Sequence, residues 1–351
     1  MATKGKKRKK TAAIICSVLA VIILAVCIAA VVFVKGKLDR IQYDDGKTSY
    51  DASIDAGEAD DVEIDTSGLA QVDPQQIAEG EIYKDENVLN VLLLGADERS
   101  TSFSDNARSD SMILLSIDRE QKTAKLVSLE RGMGVPILSG KYAGQYDWLT
   151  HCFRYGGADL VMQEVRECFK VDVTHFVRVN FNAVIEIIDL LGGIDLTLTQ
   201  EEADYINSGY NGYVFGRGDE LQKVSAGANH VNGVTALSYA RCRKIDSDWQ
   251  RVKRQQNVIQ ACVNSLKNAS LSTLNDVVND VLPMVQTNFT QLELTRLMLI
   301  APDFIGVQFD QMTLPASGTY GSMTGMGGRS MYAPDFEENA KILRKFLYNI
   351  D

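Results

Sequence analysis

Residues 90–131 decide the fold: NVLLLGADERSTSFSDNARSDSMILLSIDREQKTAKLVSLER. Together with the two residues before it, the start reads VLNVLLL over residues 88–94. An apolar run of that length is the pattern of a central strand covered on both faces. Gly95 ends it, and a polar loop follows to Ser109. Residues 112–117 and 124–129 then read as a hairpin around Arg119, Glu120, Gln121 and Lys122.

Working outward, strands and helices interleave. Residues 158–169 carry apolar positions at helical spacing. Residues 173–179 form a strand pattern, and residues 181–191 a helix stopped by Gly192 and Gly193. Ile194, Leu196 and Leu198 alternate as a short strand. Residues 200–230 read as loop-rich, residues 234–243 and 248–267 as helices, and residues 274–282 as a further helix. Thr290 and Glu293 make a capping-box signature. Residues 312–314 suit a late strand, residues 318–328 a Gly-rich loop and residues 335–347 a closing helix. The order predicts a layered α/β fold, and the hairpin makes its sheet mixed.

The charge is split along the chain. Residues 1–40 carry nine Lys/Arg against one Asp, a net +8; the remainder, with 27 Lys/Arg and 45 Asp/Glu, stands at −18. Such an acidic body argues against nonspecific nucleic-acid binding. Residues 11–34 have no charge. As a helix they would span about 36 Å, enough for a hydrocarbon core of roughly 30 Å. A cleaved signal peptide competes, but its apolar region is shorter, about 7–15 residues, so an uncleaved anchor is expected. Six basic residues precede it, which puts residues 1–10 in the cytoplasm and the rest outside. Residues 35–86, rich in Asp, Glu, Gly and Ser, read as a solvated stalk, and residues 87–351 as the folded domain. Four cysteines lie in that domain, and free thiols and disulfides weigh equally.

No P-loop, H-E-x-x-H, C-x-x-C or G-x-S-x-G occurs, and the histidines are His151, His175 and His230 alone. Zinc hydrolases and Ser-His triads are thereby disfavoured. Two charged clusters remain. Asp97, Arg108, Asp110 and Arg131 surround the ends of the first strands. Two carboxylates at one sheet end suit Mg²⁺, which binds through one or two carboxylates plus substrate phosphates; loop capping and surface ion pairs are the plain alternative. Tyr239, Arg241, Arg243, Asp248, Arg251, Arg254 and Gln255 form the second cluster. Arg251, Arg254 and Gln255 are three and four apart, which predicts one shared helix face, opposite or oblique to the apolar stripe. Their partner is either protein carboxylate or the diphosphate of a ligand, which guanidinium forks match.

Several ordered motifs resemble the LytR–CpsA–Psr family of bacterial cell-envelope proteins: LLLGADER, ARSDSMILLSID, LVSLERGMGV, RYGGADL, VNFNAVIEIIDLLGGIDL and ALSYARCRKIDSDWQRVKRQQNVI. They cover residues 87 to 265. The resemblance implies an α–β–α sandwich enclosing a pocket for a polyprenyl chain. It implies transfer of a glycopolymer (teichoic acid, capsule or another polymer) from a polyprenyl diphosphate to peptidoglycan, in a Gram-positive-type envelope. Carried over by position, Asp97 and Asp110 match the site of Mg²⁺ (or Mn²⁺). Arg108, Arg131, Arg241, Arg243, Arg251 and Gln255 match the diphosphate-binding set. The resemblance implies catalytic roles for Arg108, Arg131, Arg251 and Asp248, the last matching the acid near the start of the second helix. A lipid-binding module without transfer and a diphosphate hydrolase are the rival functions. The chain departs from the family where Pro-Arg-Asp is usual: it reads Glu130-Arg131-Gly132. Glu130 is the candidate replacement for the missing carboxylate.

Overall fold

The computed structural model describes residues 35–44, 64–96, 109–210, 217–242 and 245–350. Its strands in chain order begin with β1 (Gln42–Tyr43), β2 (Val88–Ala96), β3 (Ser109–Asp118) and β4 (Thr123–Leu129). The β3–β4 turn is set by Asp118, whose Oδ1 accepts from the amides of Glu120 and Gln121 at 2.9 and 2.8 Å. A ribbon of β5 (Gly134–Pro136) and β6 (Tyr146–Trp148) leads into helix α1 (Leu149–Phe169). Next come β7 (His175–Asn180) and α2 (Phe181–Leu190), the latter capped by the Asn180 side chain. A second ribbon pairs β8 (Ile194–Leu198) with β9 (Gly227–Val231), with α3 (Gln200–Asn207) between them. Then follow α4 (Gly233–Ala240), α5 (Asp248–Leu266), α6 (Leu271–Val281), β10 (Val285–Thr287), α7 (Gln291–Ile300) and β11 (Asp310–Leu314). A hairpin of β12 (Tyr320–Thr324) and β13 (Ser330–Pro334) precedes the last helix, α8 (Phe336–Tyr348).

Seven strands form the main sheet, in the order β1-β10-β7-β2-β3-β4-β11. Three pairs are parallel (β1 with β10, β2 with β7, β4 with β11) and three antiparallel (β10 with β7, β2 with β3, β3 with β4), so the sheet is mixed as expected. Strand alternation gives it two different faces. One carries Leu92, Leu94, Met112, Leu114, Val127, Leu129 and Phe176, packed against α1 and α8 in a continuous core. The other presents the cross-strand row Val177, Leu93, Ile113, Ser128 and Thr313. Over it lie α2, α4 and α5. Helices α2 and α4 touch closely because residue 233 is glycine: a Cβ there would stand 2.3 Å from the Ile185 carbonyl oxygen.

Several expectations are corrected. The described parts of the expected stalk lie on the body. Leu38, Ile41 and Ala78 are buried, β1 joins the sheet edge, and Gln71 and Tyr83 bridge to Ser322 and Val171. Isolated apolar anchors and backbone hydrogen bonds attach an extended chain that has no periodicity of its own. Residues 200–230 include α3, which has a full capping box of Thr199 and Glu202, and β9. The Gly-rich loop includes β12. Helix α1 begins at Leu149, before a break at Gly156 and Gly157 that the pattern took as loop. The four domain cysteines, Cys152, Cys168, Cys242 and Cys262, are free thiols. The expected anchor, residues 11–34, lies outside the described residues; among those described, no helix is long and apolar enough to cross a membrane.

Candidate functional site

Between the sheet and helices α2, α4 and α5 lies a cavity of about 310 Å³. Its floor is two cross-strand rows, Val177–Leu93–Ile113 and Val179–Gly95–Ser111. Gly95 leaves the middle of the second row without a side chain, and a Cβ there would sit 3.0 Å from that of Ser111. Val184, Ile187 and Leu237 close one wall. Helix α5 supplies the other with Val258, Ile259, Cys262 and Val263. This is an apolar chamber inside a strongly acidic domain, the surroundings an aliphatic chain requires.

The chamber ends in charge. Arg241, Arg251 and Gln255 line it together with Asn180. Gln255 Oε1 accepts from Ser111 Oγ at 3.0 Å. The Arg241 guanidinium lies over the Phe181 ring, 4.4 Å from its centroid. Arg251, only 2% exposed, donates to Asp248 Oδ2 at 2.9 Å. From the other side Arg131, 4% exposed, reaches both oxygens of Asp248 at 3.4 Å. One carboxylate thus fixes two buried guanidinium groups beside the mouth of the cavity.

Glu130 completes the group. It is 1% exposed, and one carboxyl oxygen accepts from the Gly132 amide at 3.5 Å while the other has no donor. Burial first, and the negative Asp248 second, hold its proton on well above the ordinary carboxyl range. Neutral, it donates to Asp248. Burial opposes the charge on Asp248, but Arg251, the Glu130 hydrogen bond and Arg131 outweigh it and leave the Asp248 pKa lowered. The two carboxyls are thus shifted in opposite directions beside two arginines, Glu130 toward its neutral form and Asp248 toward its charged one.

Of the predicted residues, the structure brings Arg131, Arg241, Asp248, Arg251 and Gln255 together. Asp97, Arg108 and Arg243 lie outside the described residues. Asp110 is on β3, and Ala96, the residue before Asp97, pairs with Ser109, the residue before Asp110. Among the described residues no group of three His, Cys, Asp or Glu is placed to hold a metal.

Three readings change. Arg254 does not share the face of Arg251 and Gln255. It points to Glu202, whose Oε1 accepts from Nε at 2.6 Å, and to Asp246, so it ties the loop before α5 to α3. The apolar stripe of α5 is not opposite its arginine face; Val258, Ile259 and Cys262 continue the line of Arg251 and Gln255 into the cavity. Arg241 is the residue after α4, because that helix stops at Ala240. Sequence reasoning missed Ser111 and Asn180, whose signal was only their position at strand ends, Trp249, whose signal was its place beside Asp248, and Tyr320 and Tyr332, which carried none.

The LytR_cpsA_psr family model matches residues 47–346. The polyisoprenyl-teichoic acid–peptidoglycan teichoic acid transferase TagU of Bacillus licheniformis is 32% identical over 204 residues, 57% of this chain and 60% of its own length. The transferase of the same description, TagT, of Bacillus subtilis is 32% identical over 228 residues, 64% of this chain and 67% of its own length. Those alignments span three fifths to two thirds of the relatives. A solved structure described as TagT bound to LI-WTA superposes with a TM-score of 0.58 at 26% identity, covering 80% of this chain and 97% of that one.

Proposed function

The chain belongs to the LytR_cpsA_psr family, and from that membership we propose that it transfers a glycopolymer from a polyprenyl diphosphate carrier to peptidoglycan. The relatives' names state that chemistry for teichoic acid. The observation that carries the reading is the apolar chamber ending at Arg241, Arg251 and Gln255, with Asp248 and Arg131 beside it. An aliphatic tail of the donor fits the chamber, each buried CH₂ contributing about 0.8 kcal/mol. The guanidinium groups receive its diphosphate.

In the transfer, a sugar hydroxyl of the acceptor forms a bond to the phosphorus next to the glycan. The bond from that phosphorus to the polyprenyl phosphate breaks, and the polyprenyl phosphate leaves with the electron pair. The hydroxyl proton passes to solvent or a neighbouring base. Arg251 and Arg131, held in place by Asp248, stabilise the charge that develops on the phosphoryl oxygens and the leaving group. Their burial strengthens that interaction, because no water screens it. Asp97 and Asp110 would hold Mg²⁺, or Mn²⁺, which supplies charge neutralisation at the diphosphate.

Residues 11–34 anchor the chain in the cell membrane, with residues 1–10 in the cytoplasm and the domain outside, in a Gram-positive-type envelope. The test incubates the full chain in detergent with lipid-linked glycan, peptidoglycan and Mg²⁺. Release of polyprenyl phosphate with covalent glycan attachment is the expected result. Tight binding without turnover would make it a carrier-binding module, the reading that Gly132 favours. Glycan released with a free reducing-end phosphate would make it a hydrolase.

A further inference from the structure

The charged cluster has a second neighbour, on the side away from the apolar chamber. A depression of about 380 Å³ is lined by Trp249, Thr313, Pro315, Ser317 and Tyr320. Trp249 stacks on Tyr320, with ring centroids 5.5 Å apart and planes 27° from parallel. Tyr332 packs edge-on against Tyr320 at 5.4 Å and lies 5.7 Å from Trp249. Tyr332 is buried, whereas Trp249 and Tyr320 keep part of their surface open. Two rings are thus fixed in place by a third and offered to solvent.

The position of this platform follows from the sheet. Val177, Leu93, Ile113, Ser128 and Thr313 form one cross-strand row on a single face. The first three are the floor of the chamber, and Thr313 lines the aromatic depression. Ser128, between them, is covered by Gln256 of α5, whose Nε2 donates to Ser128 Oγ at 2.9 Å. Glu130 and Arg131 follow Ser128 by two and three residues. The order across the sheet is therefore apolar chamber, charged cluster, aromatic platform. From β2 to β11 is three strand spacings, about 14 Å. The platform is also bonded to the cluster, since the Tyr332 amide donates to the Gly132 carbonyl at 3.0 Å.

The lining states what it would bind. It has no charged side chain, unlike the cluster a few ångströms away, so neither a phosphate nor a carboxylate is matched there. It offers aromatic faces, whose negative quadrupole attracts polarised C–H groups, and the hydroxyls of Thr313 and Ser317, which donate and accept. Those are the requirements of a neutral ring that is C–H on its faces and hydroxyl at its edge. In phosphoryl transfer the attacking and leaving oxygens lie roughly in line through phosphorus. With the leaving polyprenyl phosphate toward the chamber, the attacking hydroxyl arrives from the platform's side.

We propose that the Trp249–Tyr320 depression is the acceptor subsite, where a pyranose ring of the glycan strand stacks to present its hydroxyl to the phosphoryl group. The assignment of acceptor, though not the binding of sugar, rests on the transferase reading above.

Trp249 reports on its own occupancy, because the chain has two tryptophans and the other, Trp148, is buried at 6% exposure. In a Trp148→Phe background the full chain is titrated in detergent with soluble, peptide-free glycan oligosaccharides cut from peptidoglycan. A saturable change in emission is expected without any lipid-linked donor, so this arm reads even if no transfer occurs. In the transfer assay Trp249→Ala raises KM for the acceptor at least tenfold and leaves KM for the donor within twofold; Trp249→Phe recovers part of the loss. Ser317→Phe fills the depression from an exposed position and gives the same acceptor defect, which covers the case of an unfolded Trp249→Ala. Unchanged emission together with an unchanged acceptor KM in Ser317→Phe would overturn the proposal. A rise in donor KM alone would also overturn it, by giving the platform to the donor's glycan.

Discussion

Glu130→Gln is expected to stabilise the protein, and increasingly so as pH rises. The wild-type carboxyl is buried, and burial raises its pKa well above the ordinary 4.5. Between 4.5 and the raised folded value, the native state holds a proton that the unfolded chain releases. Stability then falls with pH, because the unfolded state binds fewer protons than the native one. The contribution is fully present below 4.5 and is lost as pH climbs through the folded pKa. The slope of this loss approaches about 1.4 kcal/mol per pH unit. Glutamine keeps the shape and a donor toward Asp248 but never ionises, so it removes the slope. Above pH 4.5 its advantage should grow with pH until the folded pKa is passed, read as a widening gap in Tm. Glu130→Ala separates the contributions. It leaves Asp248 without its donor and should cost about 1–3 kcal/mol at every pH. Thermal melts of the three proteins from pH 5 to pH 8 decide the matter. A Tm difference between Glu130→Gln and wild type that stays flat would refute a protonated, shared Glu130.

Three further outcomes follow from the geometry. Val179→Trp fills the chamber beside Gly95 and should raise the KM for a long-chain donor more than tenfold while sparing a donor with a truncated prenyl chain; equal effects on both would argue against a tail in the cavity. Arg251→Lys loses the planar fork that reaches Asp248 at 2.9 Å and should cost about 10²-fold in kcat with the melting temperature little changed; unaltered turnover would remove Arg251 from the site. Gly233→Ala places a Cβ 2.3 Å from the Ile185 carbonyl and should destabilise by about 1–3 kcal/mol in urea melts, separating α2 from α4.

What the sequence made legible was what one segment carries by itself. The run ending at Leu94 is a central strand, and the hairpin between Asp118 and Thr123 is present. Arg251 and Gln255 converge as their spacing requires. What failed needed partners that no single segment contains. Arg254, three residues from Arg251, fits a shared face as Gln255 does at four, yet Glu202 and Asp246 draw it to another side of α5. The stretch from Ile64 to Tyr83 reads as solvated because its apolar residues are isolated, yet Ile64 and Val72 pack on the cluster of Trp148, Met323 and Met331, and Ile77 and Ala78 on the main core. The chamber was invisible for a related reason. Its floor is a set of cross-strand rows, and a strand read alone shows alternation but not which residue stands beside it two strands away.

The departure at Gly132 takes on a physical meaning in this setting. A Cβ at that position would stand 2.4 Å from Ile64 Cδ1. Ile64 belongs to the segment before β2 and packs with Trp148, Met323 and Met331. The space an aspartate side chain would use is therefore filled by apolar contact from the very stretch whose composition suggested a stalk. Two residues earlier stands Glu130, buried beside Asp248. Burial pushes the Glu130 pKa well above the ordinary carboxyl value, while that of Asp248 is lowered despite its own burial by Arg251, Glu130 and Arg131. A carboxyl shifted toward its neutral form offsets less of the Arg131 and Arg251 charge than an ionised one would, which leaves more of it for a diphosphate.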